Sequence, residues 1–136
     1  MATAPTRRIT AQQVSHAVLT GAMRVHSELG PGLLESTYTA CLQHELQKAG
    51  MHAQTQVALP VIYDGVRLDI GYRIDLLVEN LVVIELKSVD ALAPIHKAQL
   101  LSYLKLSGKS LGLLINFNVV HLKDGIQRLV NGTNWQ

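Results

Sequence analysis

The chain switches between two hydrophobic periods, and each switch marks an element. From Ala11 to Glu28 apolar residues recur at helical spacing, and Thr10 followed by Gln13 makes a capping-box pattern, so a helix is expected there. Leu29-Gly30-Pro31-Gly32 breaks it. A second helix is expected from about Leu33 to Ala49, closed by Gly50. The period then drops to two. Gln54 to Tyr63 reads as a strand running into an Asp64-Gly65 hairpin turn, and Tyr72 to Val78 and Leu81 to Lys87 read as two more strands around Glu79-Asn80. Pro94 opens a third helix that reaches Ser107, with Gly108 as its stop. Leu111 to Asn116 is short and continuously apolar, the pattern of a strand buried on both faces. Val119 to Val130 contains a second Asp-Gly pair, Asp124-Gly125, and is expected to be a small hairpin.

The resulting order is ααβββαββ. A strand apolar on both faces needs cover on both, so the expected class is α/β, a mixed β-sheet flanked by helices. Residues 1–9 read as a flexible tail, and residues 10–136 as a single domain with no interior linker.

Composition narrows the picture. Of 136 residues, 48% are apolar and 16% charged, the balance of a folded chain rather than a disordered one. The net charge of +2 does not mark a basic nucleic-acid arm, although a local basic rim is invisible in a total. A single cysteine, Cys41, excludes an internal disulfide framework and a multi-cysteine zinc site. No apolar run reaches the roughly 18 residues of a membrane span. No apolar segment follows Arg7 and Arg8 as in a secretory signal, so the expected location is cytoplasmic, with no membrane partner. Aromatics, at 4%, are too sparse for a broad stacking platform on single strands.

The informative residues are polar ones on apolar faces. Period two places Val83, Glu85 and Lys87 on one face of their strand, and Arg73, Asp75 and Leu77 on one face of the strand before it. An acid inside each of two adjacent apolar strands costs several kcal/mol unless it is paired or metal-bound. The bland reading is an ion pair of Glu85 with Lys87 or Arg73. The sharper one is a cation site, because two close carboxylates repel each other and suit a hard divalent ion. For Asp75 and Glu85 to share a face, Val78 must pair with Val82. The turn then holds Glu79, Asn80 and Leu81, with Asn80 a candidate for left-handed backbone.

Two helices add further candidates. On the second, Leu34, Tyr38, Cys41, Leu42 and Leu46 form an apolar arc, and Glu35 and Glu45 fall inside it. On the third, Leu100, Leu101 and Leu104 make the core stripe, with His96, Gln99 and Tyr103 along its edge. A glutamine there needs a hydrogen-bond partner, either a site carboxylate or a strand edge.

These blocks resemble a known family. Gly32-Leu33-Leu34-Glu35-Ser36-Thr37-Tyr38 resembles the signature of the GxxExxY proteins, a group of the PD-(D/E)XK nuclease superfamily. The resemblance continues through Gly71–Val78, Val83–Lys87, Pro94–Leu104 and Leu111–Asn118, roughly residues 11–131 in all. It implies a restriction-endonuclease-like core. It implies that Asp75 and Glu85 bind Mg²⁺ (or Mn²⁺), that Glu35 joins the metal shell, that Lys87 assists the attacking water, and that Gln99 and Tyr103 support the site. Ile74 stands where the superfamily's name has proline.

The expected function is therefore hydrolysis of DNA phosphodiester bonds by a metal-dependent nuclease, with RNA as the other polymer of the same chemistry. A homodimer is the usual way for one site per chain to cut both strands of a duplex. The alternative is a catalytically silent module on the same fold that binds nucleic acid or a nucleotide.

Overall fold

The computed structural model describes residues 8–132. Most of the expected tail, residues 1–7, lies outside the described residues, as do residues 133–136. Helix α1 (Ala11–Leu29) is followed by α2 (Glu35–Lys48), then β1 (Ala53–Ala58), β2 (Val61–Tyr63), β3 (Val66–Leu68), β4 (Arg73–Val78) and β5 (Val82–Lys87). Helix α3 (Pro94–Ser107), β6 (Leu111–Asn116), a 3₁₀ turn (Leu122–Gly125) and β7 (Ile126–Val130) complete the chain. Five strands form one mixed sheet in the order β1-β4-β5-β6-β7, in which only β5 and β6 run parallel. The α/β class with a mixed sheet between helices is as expected from the sequence.

The helices divide between the two faces. On one, Val14, Val18, Ala22 and Val25 of α1 and Tyr38, Leu42 and Leu46 of α2 pack with Leu76, Val78, Val82, Ile84, Leu86 and Ile115. On the other, Leu100, Tyr103 and Leu104 of α3 pack with Ile74, Leu77, Val83 and Leu114. Every residue of β6 is buried, as its unbroken apolar run demands. The parallel β5–β6 step needs a crossover, which α3 supplies.

Two elements differ from the sequence reading. The run Gln54–Tyr63 is not one strand. Pro60 has no N–H to give a ladder, so the chain leaves the main sheet after Ala58 and forms a separate hairpin of β2 and β3. The turn of that hairpin is Asp64-Gly65, with φ of 53° and 72°, as the Asp-Gly pair predicts. The second difference is at the C-terminal end. Val119–Val130 is not a self-paired hairpin: β7 pairs antiparallel with β6, and Asp124-Gly125 closes the 3₁₀ turn. Gly125 is there for close approach, since a Cβ on it would lie 2.3 Å from the Asn116 carbonyl oxygen.

Candidate active site

The site grows from the β4–β5 hairpin. Val78 pairs with Val82, Leu77 with Val83 and Leu76 with Ile84. The turn between them therefore contains Glu79, Asn80 and Leu81, and both Glu79 (φ 52°) and Asn80 (φ 55°) are left-handed. This is the register that sets Asp75 opposite Glu85.

At Asp75 the backbone pairing opens on both sides. The β1–β4 ladder skips Gln56 and Asp75, and Gln56 takes a left-handed φ of 53°. The β4–β5 ladder ends at Leu76 and Ile84. Side chains replace the missing bonds. The Asp75 N–H donates to Glu85 Oε1 at 3.2 Å, and the Leu86 N–H donates to Asp75 Oδ2 at 2.9 Å.

The pair sits on the α3 face of the sheet. Glu85 is 5% exposed, and Asp75 is half-buried. Burial pushes the Glu85 carboxyl up to about 9, with the nearby Asp75 charge and a hydrogen bond between the two side chains adding to it. Lys87 is close enough to pull the other way. Tyr103 on α3 faces both acids: burial first, then the charge of Glu85, raises its phenol. Gln99 Nε2 lies 3.3 Å from the Tyr103 hydroxyl, so its partner is that phenol rather than a carboxylate of the pair. His96 turns away from this row and caps its own helix, accepting the Ala93 N–H at Nδ1.

Glu35 stands apart. It is exposed on the first turn of α2, and Leu34 before it is 73% exposed, because the helical arc begins only at Tyr38. Among the described residues no three His, Cys, Asp or Glu side chains form a group able to hold a metal ion, so Glu35 does not close up with Asp75 and Glu85. The other acid of that arc, Glu45, is tied to Arg24 at 2.8 Å and Lys48 at 3.1 Å.

The corner that carries Glu35 is nevertheless built with care. The Tyr38 hydroxyl donates to the Gly30 carbonyl at 2.6 Å and accepts the Leu33 N–H at 3.1 Å. Its ring stacks on Phe117 at 4.4 Å. The Ser88 hydroxyl, one residue past Lys87, donates to the Leu33 carbonyl at 2.7 Å. His26 is structural in the same region, bonded through Nε2 to the Val119 carbonyl at 2.8 Å. Asn116 was not singled out from the sequence. Almost fully buried, it bonds both the N–H and the carbonyl of Val89 and the Asn118 N–H, holding together the loops that leave β5 and β6. The signal was a polar residue closing an otherwise apolar strand.

Asp75, Glu85 and Lys87 in this arrangement form the D-(x)9-E-x-K spacing on two adjacent strands. A comparison with family models matches residues 12–129 to the PD-(D/E)XK nuclease superfamily. The chain belongs to that superfamily. Within the PD-(D/E)XK pattern, the position of the proline is taken here by Ile74, 2% exposed and packed in the core under α3. Among solved structures, the crystal structure of SSO0001 superposes with a TM-score of 0.55 at 22% identity. The match covers 91% of this chain and 64% of that one, so the chain spans less than two thirds of that protein's length and the likeness is one of fold. No match is found among curated proteins.

Proposed function

We propose that the chain is a divalent-metal-dependent nuclease that hydrolyses phosphodiester bonds of DNA. The observation that carries this is the Asp75–Glu85 pair, two acids on adjacent strands, each accepting a backbone N–H of the other's strand, with burial first and the Asp75 charge second raising the Glu85 carboxyl. That donor set fits Mg²⁺ or Mn²⁺, hard ions that take oxygen ligands and are usually held by one or two carboxylates with waters and phosphate oxygens. When bound, such an ion supplies Lewis-acid polarisation of a phosphodiester oxygen and acidifies water.

The chain's own residues do the rest. Asp75 and Glu85 are the residues that would hold such an ion. Lys87, two residues beyond Glu85 on the same face, orients the water and offsets the charge that develops on the phosphate. Tyr103, held by Gln99, lies close enough to Glu85 to feel its charge and would support that side of the site. Glu35, exposed on the first turn of α2, would be a further ligand to such an ion, directly or through water. The finer placement in the GxxExxY group rests on the Gly32–Tyr38 run, whose tyrosine clamps the corner preceding Glu35. This reading takes residues 10–136 as one domain acting in the cytoplasm, and a homodimer where both strands of a duplex are cut. No helix among the described residues is long and apolar enough to cross a membrane.

The test is purified protein on labelled linear, circular and single-stranded DNA, and on RNA, with Mg²⁺, Mn²⁺ or EDTA. Cleavage that needs a divalent ion supports the proposal. Binding without cleavage in every ion would favour the silent module.

A further inference from the structure

One aromatic ring beside the acid pair has no part in the chemistry above. Tyr72 lies three residues before Asp75, where the chain returns from the β2–β3 hairpin into β4. Its carbonyl accepts the Leu59 N–H at 2.9 Å, which pins the backbone at the root of that hairpin. Its ring centroid is 6.0 Å from that of Tyr103, with the planes tilted by 59°. Tyr103 in turn lies within the field of both Glu85 and Asp75. The two rings therefore form a short wall leading from the carboxylates to solvent.

The rings are not equivalent. Tyr103 is 7% exposed and bonded to Gln99, whereas Tyr72 is 44% exposed, and its hydroxyl makes no hydrogen bond among the described residues. Arg73, next along the chain, is also exposed. An amphipathic ring held by its backbone, open to water and adjacent to a phosphate-handling site, is suited to stacking on a base.

We infer that Tyr72 is the stacking surface for an unpaired base next to the scissile phosphate, so that the site takes a single strand or a frayed end in preference to an intact duplex. This rests on the nuclease reading of Asp75 and Glu85. A base and its own phosphate are neighbours, so a base on Tyr72 leaves its phosphate beside the acid pair, with Arg73 near the backbone. In an intact duplex both faces of a base are covered by its neighbours and its edge is paired, so the ring receives only a base already out of the stack. A broad platform needs many aromatics, but a single base needs one ring.

Binding is read by fluorescence anisotropy in Ca²⁺, with the oligonucleotide checked on a gel to be uncut, on a short single strand and its blunt duplex. Wild type binds the single strand more tightly. Tyr72→Ala weakens single-strand binding by about 5- to 100-fold and duplex binding by less than about twofold, while Tyr72→Phe stays near wild type. Unchanged single-strand affinity in Tyr72→Ala would overturn the inference. So would an equal loss on both substrates, which would make the ring a strut of the hairpin, or a wild-type preference for duplex. Because this readout needs no cleavage, Tyr72-dependent binding by a protein that never cuts would overturn the nuclease reading alone.

Discussion

Asp75 and Glu85 each complete the other's strand: Glu85 accepts the N–H of Asp75, and Asp75 accepts the N–H of Leu86, where the regular ladder has stopped. The carboxylates thus satisfy backbone donors and at the same time face one another across adjacent strands. The arrangement is electrostatically tense without a cation, and that tension is measurable.

In EDTA, stability falls as pH rises. The unfolded chain gives up the Glu85 proton near 4.5, whereas the folded chain keeps it to about 9. Between those values the folded state binds more protons, so each pH unit costs up to about 1.4 kcal/mol of stability. Thermal unfolding from about pH 5 to about pH 9 should show a falling Tm, and Glu85→Gln, which keeps the shape without the charge, should flatten the slope. A Tm that rises through this range would contradict the account.

Lys87→Ala should keep the affinity for Mn²⁺ and lose about 100- to 1,000-fold in cleavage rate, because an ammonium acts on water and phosphate and is no ligand for the ion. Calorimetry beside a cleavage assay separates the two effects. Cleavage equal to wild type would reduce Lys87 to a charge partner of Glu85.

Glu35→Gln should lower both Mn²⁺ affinity and cleavage by about 10- to 100-fold if the α2 carboxylate reaches the ion when it is bound. The residue is exposed, and its carboxylate makes no hydrogen bond or ion pair among the described residues, so the fold loses at most the small contribution of an acid in a helix's first turn. Unchanged affinity and rate would remove Glu35 from the site.

Tyr38→Phe keeps the ring stack on Phe117 and removes the hydroxyl that clamps Gly30 and Leu33. Tyr38 is fully buried while Leu33 beside it is exposed, so the cost is that of a partly buried hydrogen bond left unmade, about 1–3 kcal/mol or roughly 4–12 °C in Tm. Cleavage should fall by more than stability explains, since the loosened corner carries Glu35 and the Ser88 contact. Equal stability of the two proteins would show the hydroxyl to be idle.

Much of the fold and the meeting of Asp75 with Glu85 are legible in the sequence because alternation leaves few registers. Only one pairing of β4 with β5 puts Asp75 beside Glu85, and it demands a turn with left-handed backbone near Asn80, which is what Glu79 and Asn80 adopt. Where the pattern misleads, a local signal was outweighed by a tertiary one. Apolar alternation runs through Pro60, but the missing N–H ends the strand there. Asp124-Gly125 has hairpin chemistry, yet Gly125 serves to let the chain pass against the Asn116 carbonyl, and β7 pairs with β6 instead. Glu35 falls in the apolar arc of an ideal wheel. The arc starts one turn later, so the wheel cannot tell a site acid from a solvated one at a helix end.

The three-residue turn of the β4–β5 hairpin also bears on the order in which the site is assembled. Asp75 and Glu85 are near neighbours in the chain, and closing so short a loop costs little entropy. Hairpins of this kind form in about 1–10 μs, whereas the parallel pairing of β5 with β6 must wait for the whole of α3 to cross the sheet. The acids therefore meet while water still surrounds them, and Tyr103 closes over them only with the crossover. Desolvation, the first cause of the raised Glu85 carboxyl, therefore arrives with the docking of α3.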